Sequence, residues 1–250
     1  MRGEPTIRPD YLRLVRRARD LGYGWVQVQS NGRMFSALPF VRESMNAGMK
    51  AAEVSLYGPT AEIHDSIARV GGAFEQTASG IQKLAMEGAL QHVNIPVTRK
   101  NVHCLTEILE VLESWFVERA QIVMTRPVGE EWPTQSGEAV PVEEAIPHVL
   151  KALNEAEGWD IDVRTEGIPL CVLDEFPSAA SDRFPPKQSI WIDDVHRSTG
   201  DLDTLRSRYR PFPEGCMTCM EQPHCPGTWK GLWGPHPETW IRPREELSPR

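Results

Sequence analysis

The sequence predicts an α/β protein in which parallel strands alternate with helices, and three observations support that prediction. Short strand-like segments alternate with longer segments of helical periodicity through residues 1–173. Strands separated by helices of this length imply right-handed crossovers, and therefore a parallel sheet that is open or barrel-like. After Phe176 prolines break every period, which indicates a loop-rich C-terminal extension.

The first four elements follow from periodicity and from turn residues. A helix is predicted over Asp10–Leu21, because apolar side chains recur on one face and Gly22 can end it. A short strand over Trp25–Gln29 follows, and a Ser-Asn-Gly turn stops it. The next helix covers about Ser36–Ala47 and ends at a glycine. A strand over Ala52–Tyr57 then closes at a Gly-Pro pair.

The later elements continue the alternation. Apolar residues from Phe74 to Ala85 line one side of a third helix, which stops at Gly88. His64 and Asp65 precede it in a predicted long loop, where we expect them to have a capping role. The remaining predicted elements are strand His92–Val97, helix Leu105–Phe116, strand Ala120–Thr125, helix Val142–Ala156, and the extended segments Asp160–Arg164 and Ile168–Leu173.

Length and charge limit the possible functions. With 250 residues, of which 40% are hydrophobic, the chain is long enough for a buried core. A net charge of −8 argues against a nucleic-acid partner, which requires a basic surface. No segment approaches the ~20 apolar residues of a bilayer span, and the polar N-terminus is unlike a signal peptide. We therefore expect a cytoplasmic protein with no membrane partner.

Four of the five cysteines lie in the last third of the chain. They are Cys171, followed by Cys216, Cys219 and Cys225 in a C-x-x-C-x5-C pattern. Four convergent thiolates are the ligand set of a zinc ion or an iron–sulfur cluster. In a chain without a secretory signal, metal binding is favoured over disulfides. Cys104, alone in a helical segment, is expected to be a buried free thiol.

Several strand ends carry a family resemblance. The segment Gly3–Thr6, followed by Arg8–Asp10 and a helix, resembles the G-G-E-P-x-x-x-P-D signature of radical S-adenosylmethionine enzymes. Val28–Gly32 and Val54–Gly58 follow in register and resemble the Q-T-N-G and V-S-L-Y-G strand ends of that family. The resemblance covers roughly residues 3–173. The cysteine-rich tail resembles the auxiliary-cluster extension of the SPASM or twitch type.

The resemblance implies a fold and a chemistry. The fold would be a partial TIM-type (βα)6 barrel, truncated at its N-terminus. Residues 1–173 would form the radical S-adenosylmethionine core, incomplete at its start, and residues 174–250 an extension that binds an auxiliary 4Fe–4S cluster. The implied reaction is hydrogen-atom abstraction from a peptide or a small cofactor precursor. An electron donor would be a further partner.

The resemblance also assigns cofactor-binding residues. The backbone of Gly3-Glu4-Pro5 would lie along the methionyl end of S-adenosylmethionine. Ser55 would hydrogen-bond the ribose or the carboxylate of the cofactor, and Asn94 would do similar work from the next strand. The alternative is that these residues only form a turn or satisfy neighbouring backbone groups. Gln29 and Asn31 are expected to shape a strand end.

One required motif is missing. The radical-generating cluster of the family is held by a C-x-x-x-C-x-x-C loop upstream of G-G-E-P, and the 250 residues contain no such loop. Met1 and Arg2 stand where the resemblance places a strand and the first glycine. We therefore expect the chain to be a fragment or a mis-started form of a longer enzyme. The alternative is a short protein that has lost catalysis or borrows the missing part from a partner.

Two other functions remain open. The first is a non-catalytic α/β binding protein or partner subunit, stabilised by zinc or a cluster. Its ligands would be the C-x-x-C-x5-C cysteines with either Cys171 or His224, although His224 is adjacent to Cys225. The second is a barrel hydrolase or aldolase with acid–base residues at strand ends. Its candidate residues are Glu53, Asp162 and Glu166.

Overall fold

The computed structural model describes residues 3–125, 139–173, 175–181, 191–192, 200–201 and 210–245, the two shortest segments by backbone alone. These residues form two compact units. The first contains the described residues of Met1–Pro96, His103–Ile122 and Lys151–Val163. The second contains those of Val97–Val102, Val123–Leu150 and Arg164–Arg250. The functional boundary between residues 173 and 174 stays a prediction.

Strands and helices alternate, as the periodicity predicts. The described helices are α1 (Tyr11–Asp20), α2 (Leu38–Ala47), α3 (Ala61–Ala68), α4 (Ala73–Met86), α5 (Leu105–Ser114) and α6 (Val142–Glu155). The described strands are β1 (Gln27–Ser30), β2 (Ala51–Ser55), β3 (Leu90–Val97), β4 (Arg119–Met124), β5 (Asp162–Glu166), β6 (Trp191–Ile192) and β7 (Gly200–Asp201). No helix in the described ranges has the length and apolar character of a bilayer span.

The first five strands form one sheet, in which spatial order follows chain order. β1 pairs in parallel with β2, and β2 pairs in parallel with β3. Parallel strands in sequential order with intervening helices are typical of a βα barrel, whereas the order reverses in a doubly wound sheet. The predicted α/β fold is confirmed, and the sheet is open, as in a partial barrel.

The first three strands have one apolar face and one polar face. Val54, Val93 and Ile95 are fully buried on the apolar face, and helix α4 contributes Ile81 and Leu84 to the same core. The polar face carries glutamines of β1, Glu53 and Ser55 of β2, and His92 and Asn94 of β3. Because a parallel sheet is usually apolar on both faces, the polar face indicates a surface that receives a ligand.

A close approach between α4 and the loop after β1 holds this core together. A Cβ atom on Gly80 would lie 2.2 Å from the backbone oxygen of Gly32. Gly32 itself has a positive φ of 79°, and a Cβ there would lie 2.6 Å from a methyl group of Val54. Both positions therefore require glycine for packing, and Gly32 requires it for backbone conformation as well.

Two sequence predictions about local structure were wrong. Residues 61–68 form helix α3 rather than a loop. Thr60 caps that helix, since its side chain accepts a hydrogen bond from the N–H of Ile63. Residues 168–173 are turns rather than an extended segment, with backbone bonds from Val172 to Pro169 and from Leu173 to Leu170. Pro169 has no N–H for a strand ladder, which favours the turn.

The predicted capping role is confirmed for Asp65, whereas His64 binds the loop after β2, and both residues lie on α3. The Asp65 carboxylate accepts hydrogen bonds from the N–H groups of Gly72 (2.6 Å) and Phe74 (2.8 Å), at the start of α4. His64 is buried, and its Nδ1 accepts a hydrogen bond of 3.1 Å from the N–H of Tyr57. The pair therefore fixes the chain between β2 and α4.

Candidate functional site

The Glu4 carboxylate fixes the N-terminal loop to the end of β1. It accepts hydrogen bonds from the N–H of Thr6 (3.0 Å) and from the Thr6 hydroxyl (2.5 Å). It also accepts bonds from the Ser30 hydroxyl (2.8 Å) and the N–H of Asn31 (2.7 Å). Gly3 has a positive φ of 95°, so this loop requires a glycine there. The side chain of Glu4 is therefore structural, while the predicted backbone role of Gly3-Glu4-Pro5 stays a prediction.

The turn after β1 is built by its own side chains. The Ser30 hydroxyl accepts a hydrogen bond of 3.0 Å from the N–H of Gly32, and the Asn31 side chain accepts one of 3.0 Å from the N–H of Arg33. The Thr77 hydroxyl donates to the backbone oxygen of Asn31 (2.9 Å). Asn31 thus shapes the strand end as predicted. Gln29 does not, because its side-chain amide donates to Glu53.

Ser55 and Asn94, predicted from two separate strands, lie side by side on the polar face. They are direct partners in the parallel register of β2 and β3. The hydroxyl groups of Ser55 and Tyr57 are hydrogen-bonded, and burial raises the pKa of Tyr57. His92 Nε2 lies 3.1 Å from Asn94 Oδ1. The two predicted residues therefore belong to one continuous polar surface.

Glu53 occupies the centre of that surface. It is only 8% exposed, and its carboxylate accepts hydrogen bonds from the side-chain amides of Gln27 and Gln29. A third, longer bond of 3.5 Å comes from the Asn94 amide, and His92 Nε2 lies 3.8 Å from the carboxylate. A buried carboxylate needs such donors to offset its desolvation. Glu53 therefore organises the polar face, a role that strand alternation alone does not reveal.

The other two acids of the hydrolase hypothesis form ion pairs. Asp162 lies 3.4 Å from Arg119, and both side chains are substantially exposed. Glu166 lies 3.1 Å from the guanidinium of Arg210, which is buried and stacks 3.9 Å from the ring centroid of Trp229. Such pairings are typical of structural ion pairs and do not favour a general acid–base function.

Cys171 and the three cysteines of the tail line one cavity in the second unit. Its walls also include aromatic, apolar and charged side chains, and the space among them is ≈ 380 Å³, including the part open to solvent. The lining residues are Pro169, Leu170, Cys171, Phe212, Cys216, Cys219, Glu221, Gln222, Cys225, Trp233, Ile241, Arg242, Pro243 and Arg244. Cys171 and the C-x-x-C-x5-C loop are thus brought together, as the sequence predicts. Cys104 is buried and forms no disulfide, also as predicted.

Backbone N–H groups point at three of these sulfurs. The Sγ atom of Cys225 accepts hydrogen bonds from the N–H groups of Leu170 and Gly227, both 3.4 Å long. The N–H of Arg244 donates to the Cys219 sulfur (3.4 Å), and the N–H of Arg242 hydrogen-bonds Cys171. N–H donors stabilise thiolates and are a recognised way of tuning iron–sulfur clusters.

The electrostatics of the cavity disfavour free thiolates. Burial, together with the charge of the neighbouring thiolates, raises the pKa of Cys216 to about 12 and that of Cys225 to about 11. Burial also raises the pKa of Cys171. A bound metal cation reverses this effect, because it deprotonates the thiols that coordinate it. The cavity therefore suits a cationic centre.

Zinc and a 4Fe–4S cluster place different demands on the spacing of four cysteine sulfurs. Among the described residues, no three or more His, Cys, Asp or Glu side chains are placed to hold one metal ion as they stand. Tetrahedral zinc would require sulfurs about 3.8 Å apart, from Zn–S bonds of about 2.3 Å. A 4Fe–4S cluster accepts wider spacing, because each thiolate binds a different iron atom. All four cysteines line one cavity, which favours the cluster over a single zinc ion, and the ligation itself stays a prediction.

Known proteins resemble half of this chain in sequence and most of it in fold. No family model matches. The AdoMet-dependent heme synthase of Oleidesulfovibrio alaskensis is 33% identical over 127 residues, which cover 51% of this chain and 32% of the relative. A probable GTP 3′,8-cyclase of Sulfurisphaera tokodaii is 27% identical over 128 residues, covering 51% and 40%. The chain thus spans well under half the length of these curated relatives.

Solved structures share the fold. SuiB of Streptococcus suis, bound to S-adenosylmethionine, matches with a TM-score of 0.57 over 90% of this chain and 60% of SuiB, at 12% identity. Histidine-tagged anSMEcpe with bound AdoMet matches with a TM-score of 0.50 over 62% of this chain and 42% of that chain, at 14% identity. At such low identities the likeness shows the fold alone.

Proposed function

We propose that this chain belongs to the radical S-adenosylmethionine superfamily and that its two units have different tasks. The named sequence relatives and the shared fold together support this membership. The first unit binds S-adenosylmethionine on the polar face of the sheet. The second holds an auxiliary 4Fe–4S cluster through Cys171, Cys216, Cys219 and Cys225. The reaction is hydrogen-atom abstraction from a peptide or a small cofactor precursor.

The proposed S-adenosylmethionine site uses the carboxyl ends of β1, β2 and β3. Parallel-sheet ligands bind at such ends, where side chains of adjacent strands meet. The loop at Gly3-Glu4-Pro5, held by the Glu4 carboxylate, presents backbone groups to the amino and carboxylate groups of the cofactor. Ser55 and Asn94 supply a hydroxyl and an amide for its ribose or carboxylate.

The observation that carries the auxiliary-cluster proposal is the common cavity of four cysteines with N–H donors at their sulfurs. When bound, the cluster would supply one-electron chemistry. The chain's own part is to hold the sulfurs, to exclude water with the surrounding apolar side chains, and to stabilise thiolate charge with backbone N–H groups. An external electron donor completes the system.

The radical-generating cluster requires ligands beyond these. The 250 residues contain no C-x-x-x-C-x-x-C loop. We therefore assign radical generation to the protein only when such a loop is supplied, by a longer polypeptide or by a partner. The substrate class rests on named relatives alone: SuiB has been solved with the precursor peptide SuiA, while the sequence relatives are named for heme synthesis and GTP cyclisation.

Elemental analysis of the full chain tests the auxiliary cluster against the zinc alternative. Protein purified and reconstituted without oxygen should contain about four irons and four sulfides per chain, with broad absorbance near roughly 400 nm. A colourless protein with about one zinc per chain would support the non-catalytic binding protein instead.

A further inference from the structure

Two segments far apart in sequence supply the cysteines of the cavity. Cys171 lies in the turn after β5, and the other three lie in the tail loop of residues 216–225. A cluster requires these segments to hold a fixed relative position, because iron–sulfur geometry tolerates little movement of its ligands. The side chain of Arg244 contacts the first segment, and its backbone contacts the second.

The contacts of Arg244 form a bridge. Its guanidinium Nη2 donates to the backbone oxygen of Leu170 (3.2 Å), the residue that precedes Cys171. Its backbone N–H donates to the Cys219 sulfur (3.4 Å), and its backbone oxygen accepts from the N–H of Met220 (3.0 Å). One residue thus joins the carbonyl next to one ligand with the sulfur of another.

Glu221 holds the guanidinium in place. Its carboxylate lies 3.8 Å from Arg244 Nη1, and the two side chains are only 3% and 14% exposed respectively. Both residues line the cysteine cavity. Burying a cation costs free energy unless an anion pairs with it. The buried Arg244–Glu221 pair at the cavity wall therefore indicates that the positive charge has a role there.

We propose that Arg244 is a positioning residue of the auxiliary cluster, which fixes the Cys171 turn against the tail loop and offsets thiolate charge. The proposal rests on the assignment of a cluster to this cavity. Reducing a thiolate-ligated cluster adds one electron, and therefore one more negative charge. A fixed positive charge beside the sulfurs stabilises the reduced form, so Arg244 raises the reduction potential of the cluster.

The test compares cluster content and midpoint potential in full-length variants reconstituted without oxygen. Arg244→Gln removes the positive charge, whereas Arg244→Lys keeps the charge but lacks the planar guanidinium group with its several N–H donors. Arg99→Gln is the matched control, since it removes the same charge from an exposed arginine of the second unit that pairs with Glu144 and does not line the cavity. Potentials are measured by dithionite titration followed by electron paramagnetic resonance.

We expect Arg244→Gln to shift the midpoint to more negative values or to lose iron, while Arg99→Gln stays near wild type. Arg244→Lys should retain more iron than Arg244→Gln and keep a midpoint closer to wild type. Equal potentials and iron contents in wild type and Arg244→Gln would overturn the proposal, and so would an equal shift in Arg99→Gln. A wild-type chain that binds no iron would overturn the cluster assignment itself, a distinguishable result.

Discussion

At the residue scale, Glu4 illustrates how a sequence motif and its physical role can differ. The G-E-P triplet predicts a backbone that faces a cofactor, whereas the carboxylate of Glu4 binds groups at Thr6, Ser30 and Asn31. The partners at the end of β1, Ser30 and Asn31, lie 26 and 27 positions away. No periodicity connects residues at that distance, so the role becomes visible only when the strand end is placed beside the loop.

Glu4→Gln should lower the free energy of unfolding by about 1–3 kcal/mol, because an amide cannot replace a carboxylate that accepts several hydrogen bonds. Urea denaturation of the variant and wild type measures the difference. Glu110→Gln, an exposed change on α5, is the control and should be nearly neutral. Equal stability of Glu4→Gln and wild type would show that this carboxylate does not fix the loop.

Ser55→Ala and Asn94→Ala should each weaken S-adenosylmethionine binding about 3- to 10-fold, the usual worth of one hydrogen bond. Equilibrium dialysis with labelled cofactor measures the dissociation constants. Ser66→Ala, on the exposed side of α3, supplies the control. Unchanged binding in both site variants would remove the polar face from the cofactor site.

His64 should make stability depend on pH. Burial lowers its pKa from 6.5 to about 4 in the folded protein, so the unfolded chain binds the proton more readily. The stabilising contribution is complete above about pH 6.5 and is lost as the pH falls through about 4, with a total of up to about 3 kcal/mol. Denaturation at several pH values measures it, and His64→Asn should flatten the curve between pH 4 and 6.5.

The exposed His236 is the control for this pH effect. His236→Asn should keep the wild-type dependence. A His64→Asn protein whose stability falls with acid as steeply as wild type would place the titrating group elsewhere.

At the element scale, the strands of the sheet and most of the helices could be predicted from periodicity, because a buried face produces a regular pattern of apolar residues. Helix α3 could not be predicted in this way, since only His64 of its eight residues is buried. Its signal was the capping threonine at position 60, followed by Glu62 in the first turn. The turns at 168–173 were also missed, although Gly167 and Pro169 together indicate a break in the chain.

Gly80→Ala should disrupt the packing of α4 on the loop after β1. The added Cβ would lie 2.2 Å from the Gly32 oxygen, and backbone atoms cannot move aside without cost. We expect a loss of about 1–3 kcal/mol or more in urea denaturation. Gly24→Ala, where an added Cβ meets nothing within 4 Å, is the matched control. A Gly80→Ala protein as stable as the control would contradict this packing.

At the scale of the whole molecule, Cys171 was predicted to join the C-x-x-C-x5-C loop because of its position just before the tail, and all four cysteines line one cavity. The extended segment expected at Cys171 is a turn, and the ligation of a metal stays a prediction. The sequence did not identify Arg244 or Glu221, because charged residues in a loop follow no period. It also did not identify Glu53 as the organiser of the polar face. Two of its amide donors come from a strand more than twenty residues earlier, and only the parallel register brings them together.

The most direct test of this account is the iron content of single Cys→Ser variants, determined with sulfide content and with the electron paramagnetic resonance of the reduced protein. Serine at position 171, 216, 219 or 225 should lower the iron content and change the spectrum, because each sulfur is proposed to bind its own iron. Cys104→Ser, which alters a buried cysteine of the first unit, should leave both at wild-type values. Wild-type iron and an unchanged spectrum in all four cavity variants would contradict the assignment.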